Sequence, residues 1–131
     1  MTGACYLDTS AFVKLIAAES ETRALRAFLD SHPEQLSSII LDTEAHRAAA
    51  RVGADVASRA DRLLTRITLV PLNFEVRSLA RTVPPMALRS LDAIHLATAI
   101  TLGADLGVFV AYDRRLLDAA AEAGLAVASP S

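Results

Sequence analysis

The chain has 131 residues, 53% of them hydrophobic and 21% charged, with a formal net charge of −2. Length and apolar content together imply one domain, residues 1–131, with a core of its own, and they exclude a disordered chain. The negative balance excludes a general basic field for gathering nucleic acid. The single cysteine, Cys5, excludes an internal disulfide or a cysteine-built zinc site.

Strands and helices alternate along the sequence. "ACYL" is a short apolar strand that closes on Asp8. "TSAFVKLIAAE" spaces Phe12, Val13, Leu15 and Ile16 as a helix does, with Asp8, Thr9 or Ser10 available as its cap. "SETRALRAFLDSH" repeats that pattern from a capping box over Ser20 to Arg23 whose usual Glu is missing, and Pro33 stops it. "QLSSIIL" reads as a second strand, followed by the helical runs "DTEAHRAAARV" and, after Gly53, "ADVASRADRLLTRI". "ITLVPL" is a third strand, and "NFEVRSLARTV" a helix capped by Asn73. "PPMALRS" is a loop, and "LDAIHLATAITLG" a helix stopped at Gly103. "LGVFVAY" is a fourth strand, "RRLLDAAAEAG" a helix, and "LAVA" a short fifth strand. This alternation predicts a three-layer α/β/α sandwich around a four- to five-stranded parallel sheet, whose strands are apolar throughout because helices cover both faces.

Mean hydropathy is +0.36, which fits either an apolar surface covered by another chain or an Ala- and Leu-rich bias. Every basic residue except Lys14 is Arg, a bias that phosphate recognition and codon usage both produce. The N-terminal stretch lacks the basic flank and long apolar core of a secretory signal. The most apolar window, 93–111, is interrupted by His95, Gly103, Asp105 and Gly107, so it reads as helix, turn and strand rather than a membrane span. The expectation is a cytoplasmic protein with no membrane partner.

Four acids map to one edge of this sheet. Asp8 ends the first strand and Asp113 follows the fourth; Glu44 lies in the first turn after the second strand, and Asp92 opens the helix leading to the fourth. Singly, each is explained as a helix cap or dipole partner. Together they are not, since two carboxylates about 5 Å apart repel by roughly 3 kcal/mol at an effective dielectric near 20. Such a group holds protons or a cation, and an all-oxygen donor set points to Mg²⁺ or Mn²⁺.

The segments "YLDTSAFVKL", "LDTEAHRA", "LRSLDAIHLATA" and "FVAYDRRLLDAA" resemble the PIN-domain family, specifically VapC-type toxins of bacterial toxin–antitoxin pairs. The resemblance spans essentially the whole chain. It implies a magnesium- or manganese-dependent endoribonuclease, in which a metal-activated water attacks RNA phosphorus and leaves a 5′-phosphate and a 3′-hydroxyl. It also implies a homodimer and a VapB-like antitoxin as partner. By the same resemblance Asp8 and Asp92 hold the principal ion, Glu44 supports it and Asp113 completes the pocket. Thr9 and Ser10 either contact ligands or phosphate or only cap a helix. Arg89 and Arg114 flank the pocket within reach of RNA phosphates, as does Arg115, for which solvated surface is an equally good reading. One departure is Ala111, where the family often has Thr two residues before the last acid.

Other residues have plainer readings. His95 is expected to pack in the core with one hydrogen bond, and His32 and His46 to be turn or surface residues. Asp42 competes with Glu44 for the second acid, and Glu44 is preferred for its longer reach. Phe12, Val13, Ile16 and Phe28 are core or, in part, a seat for an antitoxin segment. A receiver-type phosphotransfer domain needs a Lys near the last strand, and Lys14 is in the first helix. A dehalogenase-like phosphatase needs an Asp where Ser10 stands. The remaining alternative is a catalytically silent PIN-like RNA-binding or scaffold protein.

Overall fold

The computed structural model describes residues 3–131. In chain order the elements are β1 (Ala4–Leu7), α1 (Thr9–Ile16), α2 (Thr22–Asp30), β2 (Gln35–Ser38), α3 (Ile40–Ala50), α4 (Ala54–Leu64), β3 (Thr68–Val70), α5 (Phe74–Ala80), α6 (Ser90–Leu102), a 3₁₀ turn (Gly103–Asp105), β4 (Leu106–Val110), α7 (Arg114–Glu122) and β5 (Val127–Ala128). The five strands form one sheet in the order β3-β2-β1-β4-β5, and every pairing is parallel.

The pleat of β1 divides the core in two, because successive side chains point to opposite faces. Cys5 and Leu7 pack with Phe12, Leu25, Leu41 and Ala60, which brings α1 to α4 onto one face. Ala4 and Tyr6 pack with Phe109, Leu96 and Leu116, which brings α6 and α7 onto the other. The result is the three-layer α/β/α sandwich. Burial pushes the Cys5 thiol up to about 12, so Cys5 is a packing residue without thiolate reactivity at neutral pH. No helix among the described residues is long and apolar enough to cross a membrane.

Two boundaries differ from the sequence reading. β2 stops at Ser38, because the Ser38 hydroxyl accepts from the Ile40 N–H at 3.2 Å and turns the chain into α3. Ile39 and Ile40 therefore belong to the turn and the helix, and Glu44 lies in the second turn of α3 rather than the first. The capping box from Ser20 also does not form. Instead α2 starts at Thr22, whose hydroxyl accepts from the Glu19 N–H and donates to the Lys14 carbonyl. Asn73 does cap α5, accepting from the Val76 N–H at 2.9 Å.

β1 and β4 meet through two glycines. The register slips between Ala4 and Cys5, so Gly107 sits opposite as the extra residue of a bulge. A Cβ added at Gly107 would lie 2.8 Å from the Gly3 carbonyl oxygen, against backbone that has no side chain to swing away. Gly107→Ala is therefore expected to cost about 1–3 kcal/mol in a urea melt, with the loss coming from displaced strand pairing. An unchanged melt would show that the strands separate freely at this end.

Candidate active site

The chain order reverses between β1 and β4: β2 and β3 lie to one side, β5 to the other. In open α/β sheets the crevice at such a switch point, outside the carboxyl ends of the strands, is where ligands bind. Asp8 follows β1 directly and Asp113 follows β4 by three residues, so the fold delivers both to this crevice.

Asp8 is the N-cap of α1, and its Oδ1 accepts from the Ala11 N–H at 2.9 Å. The Ser10 hydroxyl donates its single proton between the two Asp8 oxygens, at 2.7 and 2.9 Å. Ser10 Oγ in turn accepts from the Tyr112 N–H at 3.0 Å, which ties the end of β4 to the acid that ends β1. Asp8 is buried, and that burial pushes its carboxyl up from 3.8 to about 6, with the Asp92 charge adding to the rise. Ser10, Ala11 and the His95 charge act in the opposite direction.

Asp92 lies in the first turn of α6. Partial burial and then the Asp113 charge raise its carboxyl, Glu44 adds to the rise, and His95 and Arg89 oppose it. Asp113 caps α7, its Oδ1 accepting from the Leu116 N–H at 3.1 Å. Asp92 thus feels the charges of Asp113 and Glu44, and its own charge is felt at Asp8. It shares a cavity of about 270 Å³ with Asp113, Arg89, Arg114 and Arg115; Asp8 and Glu44 do not line that cavity.

Glu44 is held differently. Its Oε1 accepts from the Thr9 hydroxyl and lies 2.9 Å from His95 Nε2. Half-burial pushes Glu44 up, but the bonds from His95 and Thr9 outweigh it and hold the carboxyl below its ordinary value. A carboxylate oxygen at that distance requires a proton on Nε2, and Nε2 also lies 3.0 Å from Thr9 Oγ1. In the neutral ring Nδ1 then accepts from the Tyr6 hydroxyl at 2.7 Å. His95 is buried and makes three side-chain contacts rather than the one expected of it. Tyr6 has no place in the sequence reading. Its only signal is a phenol in a wholly buried strand, which must find a polar partner.

Among the described residues, no three His, Cys, Asp or Glu side chains converge tightly enough to enclose an ion as they stand. The donor chemistry nonetheless fits a hard cation. The donors are oxygens, and the ion pairs among the described residues leave Asp8, Asp92 and Asp113 without a basic partner. Asp92 repels both Asp8 and Asp113, and the His95 and Arg89 charges offset this only in part, so these carboxylates are cation-seeking. Asp42 is exposed and stays outside this network.

Residues 5–122 match the family model of the PIN domain. The chain belongs to the PIN-domain family. It is 43% identical over 128 residues to Ribonuclease VapC46 of Mycobacterium tuberculosis, covering 98% of each chain. To Ribonuclease VapC35 of the same species it is 43% identical over 129 residues, covering 95% of this chain and 96% of that one. Its fold superposes on the crystal structure of M. tuberculosis VapC20, titled a sarcin–ricin loop cleaving toxin. There the TM-score is 0.76 at 20% identity, over 97% of this chain and 100% of the other. A toxin–antitoxin complex from Klebsiella pneumoniae gives a TM-score of 0.75 at 19% identity, over 98% of both chains.

In this PIN domain the position two before Asp113, Ala111, is wholly buried and its N–H donates to the Ala128 carbonyl. The hydroxyl that ties this end of β4 to the acids belongs to Ser10. Lys14, the one lysine of the chain, is occupied far from any phosphotransfer role: it pairs with Glu19 and Glu21 and sits 4.7 Å over the Tyr112 ring. His46 pairs with Asp61 at the surface, and His32 stacks on Phe28 while its Nδ1 bonds to the Phe28 carbonyl. Phe12 and Ile16 are buried core residues, and Val13 and Phe28 are half-buried.

Proposed function

We propose that this PIN domain is the ribonuclease toxin of a toxin–antitoxin pair, a metal-dependent endoribonuclease that hydrolyses RNA phosphodiester bonds. One observation carries the reading: at the sheet's switch point Asp92 repels both Asp8 and Asp113, and none of the three carboxylates is in an ion pair among the described residues. Near-full-length similarity to proteins named ribonucleases supports it.

Asp8 and Asp92 are assigned to the principal Mg²⁺ or Mn²⁺, with Glu44 in support and Asp113 at the edge of the pocket. Bound there, the cation supplies an activated water and neutralises charge at phosphorus. Arg89 and Arg114 at the mouth bind the flanking phosphates and set the strand's direction. Thr9 and Ser10 are positioning residues, one for Glu44 and the other for Asp8.

The test is cleavage of a labelled single-stranded RNA by purified protein. Activity is expected with Mn²⁺, loss in excess EDTA, and recovery when Mn²⁺ is restored, with 5′-phosphate and 3′-hydroxyl ends. Undiminished cleavage in EDTA would overturn the metal assignment. Tight RNA binding without cleavage under any condition would leave the silent RNA-binding alternative.

A VapB-like antitoxin and a second copy of the chain complete the proposal. A groove of about 500 Å³ bounded by Leu15, Leu29, Leu63 and Ile67, with Arg26 and Arg66 at its rim, suits an apolar antitoxin segment with acidic flanks. Phe74 and Met86 are about three-quarters exposed, which suits pairing between copies. The complex is assigned to the cytoplasm, with its RNA.

A further inference from the structure

We propose that the groove between α7 and the 84–88 loop is a nucleobase subsite that selects guanine beside the cleaved phosphate, an inference that rests on the ribonuclease reading above. The groove holds about 480 Å³, within the range of about 300–1,000 Å³ typical of small-ligand sites. Pro84, Pro85 and Leu88 form one wall; Arg115, Asp118 and Glu122 line the other. It adjoins the cavity that contains Asp92 and Asp113, because Ala87, Leu88 and Arg115 border both. In this proposal an RNA strand with its phosphate at those acids sets a neighbouring base in this adjoining groove.

The α7 wall is a single helical stripe, since its three residues are spaced three and four apart. At that spacing Arg115 and Asp118 would ordinarily pair with each other. Among the described residues they do not, and Glu122 is likewise outside every ion pair. One guanidinium and two carboxylates are left facing an apolar wall, an arrangement suited to a flat ligand with donors on one edge and acceptors on another.

Guanine is that ligand. Its N1–H and N2–H₂ lie side by side and match a carboxylate, while O6 and N7 match a guanidinium. Uracil offers one N–H between two carbonyl oxygens, which repel a carboxylate. Adenine and cytosine set a ring-nitrogen acceptor beside their amino group. The Pro and Leu wall supplies the apolar face for the ring.

The experiment compares RNAs that carry guanine or inosine next to the cleaved bond, inosine lacking only the 2-amino group. With Mn²⁺ the wild type is expected to cleave the guanine substrate at least about tenfold faster in kcat/KM, as loss of a paired donor implies. In the double variant Asp118→Asn, Glu122→Gln that ratio falls to within about threefold, and both positions are exposed enough for the fold to be kept. A wild-type ratio near one, or a ratio that the variant leaves unchanged, overturns the subsite. If no RNA is cleaved, the ribonuclease reading fails, and titration with guanosine and inosine monophosphates decides the subsite alone. Guanosine monophosphate at least about tenfold tighter, with that preference lost in the variant, supports the subsite; equal binding overturns it.

Discussion

Asp8→Asn is expected to abolish RNA cleavage and, in the same protein, to raise the melting temperature measured in EDTA at pH 7. Both effects have one cause. Asp8 is buried with two hydrogen-bond donors and no ion-pair partner among the described residues, so its carboxylate form is held at a cost. The rise from 3.8 to about 6 corresponds to about 3 kcal/mol of destabilisation in the ionised form, by the usual conversion of a pKa difference into free energy.

The sign follows from proton counting. Between those two values the folded state holds the Asp8 proton and the unfolded state has lost it, so stability falls as pH rises through this window. Asn carries no charge to bury, yet its carbonyl oxygen still caps the Ala11 N–H and its amide can donate to Ser10. The variant is therefore expected to melt several degrees above wild type at pH 7, with the gap closing towards pH 4. Saturating Mn²⁺ reverses the order, because a ligand stabilises only the form that binds it. A variant that melts lower than wild type at pH 7 in EDTA would show that Asp8 is structural, with its charge satisfied within the fold.

Much of this arrangement was legible along the chain, and the illegible part has a physical pattern. Helix and strand periods separate cleanly wherever one face is apolar, so the seven helices and five strands of the described residues were readable. The end of β2 was not. Two β-branched residues, Ile39 and Ile40, look like strand, whereas the Ser38 hydroxyl turns the backbone just there. For the acids, capping and clustering stood as rival explanations. In the fold Asp8 and Asp113 each cap a helix with one oxygen and still lie within the electrostatic reach of Asp92. The network behind Glu44 left no trace in local spacing, because Tyr6 and His95 are 89 positions apart and Glu44 and His95 are 51 apart. Contacts of that range are made by the sheet, with β1 carrying Tyr6 beneath α6 and α3 bringing Glu44 alongside.

That network yields the second large effect. His95→Leu nearly conserves volume but removes the hydrogen-bond partner of the buried Tyr6 hydroxyl and a donor to the half-buried Glu44, which keeps only its bond from Thr9. Unpaired buried groups of this kind cost about 1–3 kcal/mol each, so a loss of about 2–4 kcal/mol is expected in a urea melt. Tyr6→Phe removes only the hydroxyl, and about 1 kcal/mol is expected. Because the second substitution deletes a group the first has already stranded, the double variant should lose less than the sum of the two, by about 1 kcal/mol or more. His95→Gln, whose amide nitrogen can stand in for Nε2, should recover part of the loss and part of the affinity for Mn²⁺, while Leu recovers neither. Strict additivity, or a leucine variant as stable as wild type, would mean that the imidazole merely fills space and that Glu44 is held by Thr9 alone.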